Sequence, residues 1–158
     1  MHGVVTDWWS TDRPVPGPPM LRVDARRNPP GPVLNAAVIS AAAPTYAPPG
    51  QQLVAASALI ERDGAEPSES VMREHAADIL HRDHRGGWRL VKRHVIRHAL
   101  PAQSAPLTVR RPVRTASGVW VCGDHRDTAS IQGALVSGRR TAEAILGAVG
   151  VRAFRATA

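Results

Sequence analysis

The sequence predicts an α/β fold, and three observations lead to that prediction. An unbroken apolar run at Gly118–Gly123 precedes an amphipathic segment at Ser130–Val149, which is the strand-then-helix order of α/β proteins. Two further apolar runs upstream, Val33–Ser40 and Gln52–Ile60, have the length and residue types of strands. A second helix is predicted over residues 68–82, so strands and helices alternate along the chain.

The helix over residues 68–82 is predicted from side chains, most of them apolar, that recur on one face at helical spacing. These are Val71, Met72, His75, Ala76, Ile79 and Leu80. Acidic Glu66 and Glu69 lie near its N-terminus, whereas His81 and Arg82 lie near its C-terminus, so both ends have charges that the helix dipole favours.

The remaining strands are predicted from weaker patterns. Residues 88–98 alternate imperfectly and are followed by Pro101, and the short apolar stretches Thr6–Ser10 and Met20–Arg26 are bounded by turn residues. Between the two strong strands, residues 43–50 contain three prolines, which cannot donate ladder hydrogen bonds, so we expect a loop there.

The last strand and helix are expected to pack on each other. An unbroken apolar run suits a strand that is buried on both faces of a parallel sheet. In the helix that follows, Arg139, Arg140 and Glu143 are expected to point away from the core. The residues expected to face the core are Ile131, Leu135, Ala142, Ile145, Leu146 and Val149.

Composition limits the class of protein. A chain of 158 residues with 43% hydrophobic and 21% charged residues can bury a core. The single cysteine, Cys122, excludes an internal disulfide and is expected to be buried and inert. The sequence shows no signal-peptide pattern and no apolar run of membrane-spanning length, so a cytoplasmic location without a transmembrane segment is expected.

The net charge of +7 raises the question of nucleic acid. The arginines are scattered along the chain and aromatic residues make up only 4%, which leaves little for base stacking. We therefore expect no nucleic-acid partner and rank a basic nucleic-acid-binding module third among the functions.

The seven histidines do not predict a metal site. His75 and His81 are six residues apart and do not share a helix face, and His94 and His98 would lie about 13 Å apart along a strand. No nucleophile elbow with serine, histidine and aspartate is present, so the sequence identifies no catalytic residue.

The most informative segment is the end of the predicted strand and the start of the helix after it. In open α/β sheets, ligands bind beyond the carboxyl ends of the strands. Asp124 would lie there and accept hydrogen bonds from sugar-like hydroxyls, while free N–H groups at Ser130 and Ile131 would attract negative charge. Gly133 would let a ligand or another backbone approach closely. A plain packing unit of strand, loop and helix explains the same residues equally well.

This segment resembles the C-terminal FAD motif of the flavin amine oxidase/phytoene desaturase superfamily. The resemblance rests on Gly123-Asp124, Gly133-Ala134, Ser137-Gly138 and Ala142. Two upstream segments, residues 43–50 and Ala99-Leu100-Pro101, are also similar to members of that group, so the resemblance extends over about residues 33–148.

The resemblance implies FAD as the cofactor and assigns roles to residues. Asp124 would bond to the ribityl or phosphate part of FAD, and the backbone at Ser130 and Ile131 would approach the pyrimidine edge of the flavin. Gly123, Gly133 and Ala134 complete the cofactor-binding set. The implied fold is the C-terminal strand and helix of a Rossmann-like FAD-binding domain (residues 116–150), part of a substrate-domain β-sheet with one helix (residues 1–115), and a tail (residues 151–158).

One feature of the family is missing from the sequence. No Gly-x-Gly-x-x-Gly segment occurs, although that motif binds the pyrophosphate. We therefore expect the C-terminal portion of an FAD-dependent oxidoreductase that does not retain FAD alone and needs an FAD-domain segment or subunit as its partner. The substrate would be an organic molecule, an amine or an unsaturated lipid-like compound. The alternative is a non-catalytic remnant or a small interaction subunit.

Overall fold

The computed structural model describes residues 2–61, 64–81 and 87–150. The chain forms two compact units that divide between Leu100 and Pro101. The strands are β1 (His2–Thr11), β2 (Arg22–Val23), β3 (Val33–Val38), β4 (Gln52–Ile60) and β5 (Arg89–Leu100). The helices are α1 (Ile39–Ala42), α2 (Glu69–Ile79) and α3 (Ile131–Ala148), and single 3-10 turns occur at Pro44–Tyr46 and Asp124–Arg126.

The first unit is a five-stranded antiparallel sheet in the order β2-β3-β4-β1-β5. The central strand β1 pairs with β4 without interruption from Gly3 opposite Ile60 to Thr11 opposite Gln52. The strands predicted near residues 33–40, 52–60 and 88–98 are therefore confirmed. Strand β3 ends at Val38, two residues early, because the chain turns there into α1.

Side chains alternate strictly along β1, and every second one is buried. This face of the sheet packs against α2, which begins after the Ser68 cap and confirms the predicted helix. Trp9 is fully buried, packs against Trp88 with ring centroids 5.6 Å apart and the rings tilted by 42°, and donates to Glu69 Oε1 at 2.7 Å. The core of this unit also contains Val5, Val33, Ala36, Val54, Ala56, Ala58, Ile60, Met72, Ala76, Ala77 and Leu80. The helix ends at Ile79, three residues before the predicted end, and Leu80 and His81 form a turn. Residue 82 and the predicted tail lie outside the described residues.

An ion pair lies inside this core. Asp7 has no exposed surface, and Arg93, directly opposite on β5, donates to both carboxylate oxygens at 2.7 and 2.6 Å. Arg93 also donates to the carbonyl of Pro67. These hydrogen bonds compensate for the lost hydration of the two charges and raise the pKa of Arg93 further above its usual range.

His75 connects α2 to the segment between β2 and β3. Its Nδ1 accepts from the backbone N–H of Val33 at 2.9 Å, so the ring proton is on Nε2, which lies 2.7 Å from Asp24 Oδ2. Arg26 donates to the same carboxylate, and this pairing holds the pKa of Asp24 far below its usual range. His75 is therefore a buried structural residue.

The predicted strand at residues 118–122 is wrong for this chain. The region contains one isolated bridge, Arg114 with Trp120, and Val119 and Cys122 are exposed, so the prediction of a buried thiol is wrong as well. An apolar run becomes a buried strand only when neighbouring strands pair with it, and the described residues provide no parallel neighbour.

Helix α3 is confirmed, but it turns an unexpected face inward. The buried residues are Gly133, Ser137 and Thr141, whereas Ile131 and Leu135 of the predicted core stripe are 85% and 66% exposed. Of the charged residues expected outside, Arg140 is mostly buried. In the described part of the chain, no helix combines the length and apolar character that crossing a membrane requires, and no cluster of possible metal ligands occurs.

Candidate functional site

An irregular hairpin leads into the site in the second unit. Its two arms are joined by backbone hydrogen bonds from Val121 N–H to Val113 C=O at 2.8 Å and from Arg111 N–H to Arg126 C=O at 2.9 Å. The turn between the arms contains Gly118, whose φ of +85° favours glycine. The hairpin places residues 123–127 beside the first half of α3.

Gly123 forms the corner between the hairpin and the 3-10 turn. Its φ of +139° is a conformation that side chains disfavour, and a Cβ there would lie 2.7 Å from the His125 ring. Its N–H donates to Ser137 Oγ at 3.1 Å. Glycine is thus required for the backbone path itself.

Asp124 follows at the start of the 3-10 turn, with its side chain 42% exposed. The Nδ1 atom of the adjacent His125 lies 3.8 Å from Oδ1, too far for a hydrogen bond. The carboxylate does not cap the turn, and within residues 87–150 no group donates a hydrogen bond to it. Its oxygens can therefore accept hydrogen bonds from a ligand.

The structural carboxylate of this loop is Asp127, three residues later. It accepts from the backbone N–H of Thr128 at 3.1 Å and from Arg140 at 2.9 Å. Arg140 also donates to the carbonyls of Arg126 and Arg111, so one guanidinium connects the loop, the hairpin and α3. Sequence reasoning missed this pair because no local pattern links an aspartate to an arginine thirteen residues away.

Ser130 is the N-cap of α3, and its backbone N–H is already hydrogen-bonded, contrary to the prediction. Its hydroxyl accepts from Gly133 N–H at 3.0 Å, as an N-cap should, but its own N–H donates to the carbonyl of Thr128 at 2.8 Å. The prediction of a free N–H at Ser130 is therefore wrong. Ile131, in the first turn of α3, is strongly exposed and lies at the positive end of the helix dipole.

Gly133 packs against its own loop. A Cβ at this position would lie 1.8 Å from the carbonyl oxygen of Thr128. The sequence allowed either a ligand or another backbone to approach Gly133 closely, and the structure shows that it is a backbone. Ala134, next in the helix, is half-buried and completes the first helical hydrogen bond to the Ser130 carbonyl at 2.9 Å. Both small residues keep the loop and the helix start close together.

Ser137 and Thr141 extend this contact along α3 and were not predicted as site residues. Thr141 Oγ1 lies 3.2 Å from the Val121 carbonyl, and Ser137 Oγ binds the Gly123 amide. With Gly133 they recur every four residues, which places all three on one helix face. The spacing of these small residues could have predicted the buried face of α3, but an analysis based on apolar residues alone does not detect it.

The arrangement brings an exposed carboxylate and the N-terminal end of a helix of 18 residues into one loop–helix segment. A carboxylate that lacks protein donors suits hydroxyl groups, and a helix N-terminus suits a group that gains negative charge. A flavin dinucleotide offers both in its polyol chain and its reduced ring, so the residues fit FAD. The segment contains no phosphate-binding glycine loop.

Comparison with known proteins gives three findings. The chain is similar to an oxidoreductase of known structure from Methanosarcina mazei, with 15% identity and a TM-score of 0.49 over 90% of this chain and 34% of that one. The chain thus spans about a third of the length of that oxidoreductase. No curated protein sequence matches it. The model of the flavin containing amine oxidoreductase family matches residues 7–146, which is most of the chain and includes the whole loop–helix segment, and the chain therefore belongs to that family.

Proposed function

We propose that this chain is the C-terminal part of an FAD-dependent oxidoreductase and that residues 123–134 contribute the flavin-side loop and helix. The observation that carries the proposal is Asp124. Its side chain is partly exposed, it accepts no hydrogen bond from the described residues around it, and it precedes a capped helix inside the segment that matches the family. A carboxylate with only a structural role would be bonded as Asp127 is.

In this proposal the residues hold the cofactor and take no part in bond breaking. Asp124 accepts hydrogen bonds from the ribityl or phosphate region of FAD. Ser130 caps α3, and the backbone at Ile131 presents the positive helix end to the pyrimidine edge. Gly123, Gly133 and Ala134 keep the backbone compact there. When bound, FAD supplies hydride or electron transfer with an organic substrate.

The missing part of the site is proposed to come from an FAD-domain segment or subunit. Val119, Ile131 and Leu135 are 58%, 85% and 66% exposed, although their side chains are apolar. Exposed apolar side chains that recur on one helix mark a surface that another structure covers. The same surface would serve a small non-catalytic interaction subunit, so FAD binding by the assembled complex separates the two functions.

The test measures FAD affinity with the Asp124→Ala and Asp127→Ala variants. The chain alone should bind FAD weakly, because it lacks a pyrophosphate-binding loop. Combined with the FAD-domain segment, wild-type protein should be yellow. Asp124→Ala should lower the affinity for FAD about tenfold to a hundredfold, which corresponds to the loss of one charge-assisted hydrogen bond. Asp127→Ala is the matched control, because it removes a nearby carboxylate whose hydrogen bonds are to the loop itself and to Arg140.

If folded Asp124→Ala protein keeps the wild-type affinity for FAD, Asp124 does not bind the cofactor. A complex that stays colourless with excess FAD would favour the non-catalytic subunit instead. A search of the DNA upstream of the codon for residue 1 adds a second check, because a Gly-x-Gly-x-x-Gly segment there would identify the partner directly.

A further inference from the structure

One buried hydroxyl group holds the backbone immediately before Asp124. Ser137 of α3 has no exposed surface, and its Oγ accepts a hydrogen bond from the N–H of Gly123 at 3.1 Å. The two residues are 14 positions apart in the chain, so this bond attaches the corner of the hairpin to the helix. The residue that follows the corner carries the carboxylate of the candidate site.

Gly123 is the point at which the direction of the loop is set. Its φ of +139° and ψ of +171° lie in a region that only glycine adopts readily. Glycine also adopts several other backbone conformations at little cost, so the local sequence does not select the observed one. The bond from Arg126 N–H to the Gly123 carbonyl, 3.0 Å long, closes the 3-10 turn but leaves its direction free.

The side chain of Asp124 has no hydrogen bond that could fix its position. No group within residues 101–150 donates to its carboxylate, whereas Asp127 is bonded to the Thr128 amide and to Arg140. The location of the Asp124 carboxylate therefore depends on the backbone that precedes it. A rotation at Gly123 would move this carboxylate, and no bond of the side chain would resist the movement.

The neighbouring anchors of the loop lie on either side of this corner. Before it, Val121 N–H donates to the Val113 carbonyl at 2.8 Å, and after it the Arg126 carbonyl accepts from Arg111 N–H at 2.9 Å. Within the part of the chain that the structure describes, the bond to Ser137 is the one hydrogen bond that joins the backbone of residues 122–125 to another element. It is therefore the contact that selects the conformation of the corner.

We propose that Ser137 is a positioning residue of the flavin site, which holds the Asp124 carboxylate in place for FAD by accepting the Gly123 N–H. Ser137 is fully buried and acts through the backbone of the corner, without touching FAD. The inference rests on the proposed function, in which Asp124 binds FAD. When the bond to Ser137 is lost, Asp124 is in place in only a fraction of the molecules, and the apparent affinity for FAD falls by that fraction.

A double-mutant cycle tests the positioning role. We would combine the chain with the FAD-domain segment and measure the FAD dissociation constants of wild type, Ser137→Ala, Asp124→Ala and the double variant. Ser137→Ala should lower the affinity about threefold to tenfold, as expected for one hydrogen bond. In the Asp124→Ala background the same change should have no further effect, because the carboxylate that it positions is gone. Equal losses in both backgrounds would show that Ser137 only stabilises the fold and would overturn the inference.

The cycle also separates the inference from the proposed function. If Asp124→Ala binds FAD as wild type does, the role of Asp124 is wrong and the inference is wrong with it. If Asp124→Ala loses affinity and folded Ser137→Ala does not, only the inference is wrong. If Ser137→Ala does not fold, Ser137→Cys keeps a side chain of similar size with a weaker acceptor and should show the same dependence on Asp124.

A measurement without FAD tests the conformational step in the chain alone. In Ser137→Ala the amide NMR signal of Asp124 should shift or broaden, because Gly123 then exchanges between conformations. Thr141→Val is the matched control one helical turn away. Its Oγ1 lies 3.2 Å from the Val121 carbonyl and 2.9 Å from the carbonyl of Ser137, so this variant also removes a buried hydroxyl but leaves the Gly123 bond intact. The Asp124 signal should stay in place in Thr141→Val, and an unchanged signal in Ser137→Ala would overturn the inference.

Discussion

Different interactions stabilise the two regions of the chain, one that extends up to Leu100 and one that comprises residues 101–150. In the described chain, every buried apolar side chain lies in the first region, from Val5 to Trp88. The second region buries Gly133, Ser137 and Thr141 and leaves Ile131 and Leu135 exposed. The first region therefore has the kind of core that stabilises a unit by itself, whereas the second relies on short polar contacts and leaves apolar side chains exposed.

The largest effect should come from breaking the ion pair in the core of the first region. Arg93→Met leaves the carboxylate of Asp7 buried without a counter-ion, which should lower the free energy of unfolding by about 3–5 kcal/mol. Arg97→Met, on the same strand, removes an exposed pair with Glu66 and should cost no more than about 1 kcal/mol. Urea denaturation of both variants measures the difference, and similar losses would show that burial of Asp7 is not decisive.

Two glycines of α3 should respond in opposite directions. Gly133→Ala pushes a Cβ into the Thr128 carbonyl and should destabilise the second region by about 1–3 kcal/mol. Gly138→Ala meets nothing within 4 Å in the middle of the same helix and should stabilise it by about 0.5–1 kcal/mol. Hydrogen exchange of the α3 amides reports both changes. Equal protection in the two variants would mean that the loop does not pack on Gly133.

The two loop carboxylates should also differ in stability. Asp127→Ala removes the partner of Arg140 and of the Thr128 amide and should lower the stability of this region by about 1–2 kcal/mol. Asp124→Ala removes a side chain without such bonds and should change it by less than about 0.5 kcal/mol. Thermal melts of both variants make the comparison. A large loss in Asp124→Ala would give that residue a structural role instead.

The smallest expected effect is a pH dependence in the first region. The hydrogen bonds from Arg26 lower the pKa of Asp24 below its ordinary value of 3.8, so the unfolded chain takes up a proton at higher pH than the folded chain does. This contribution to stability is complete above about pH 5 and decreases as the pH falls below about 4. Asp24→Asn should be less stable than wild type at pH 7, and the difference should shrink toward pH 3. A constant difference would exclude the linkage.

Local patterns in the sequence were sufficient for much of the first region. The period-two burial of β1 and β4 and the helical period of α2 each place apolar side chains on one face, and α2 starts after Ser68 as its acidic first turn suggests. The core stripe of α2 was correct except for Val71, which is 42% exposed, because a large apolar face of the sheet lies beside the rest of the stripe. His75 was predicted on that stripe, but its bonds to Val33 and Asp24 involve residues 42 and 51 positions away, which no local pattern shows.

The second region shows where local patterns fail. The sequence by itself determined that residues 131–148 form a helix, because helical periodicity depends on neighbours in the chain. Only the tertiary structure decided that Ser137 and Thr141 face inward, that Asp127 and not Asp124 supports the loop, and that Val119 is exposed. The physical reason is that the hydrophobicity of a side chain determines whether its burial is favourable, whereas its actual burial depends on which other parts of the structure lie close enough to cover it.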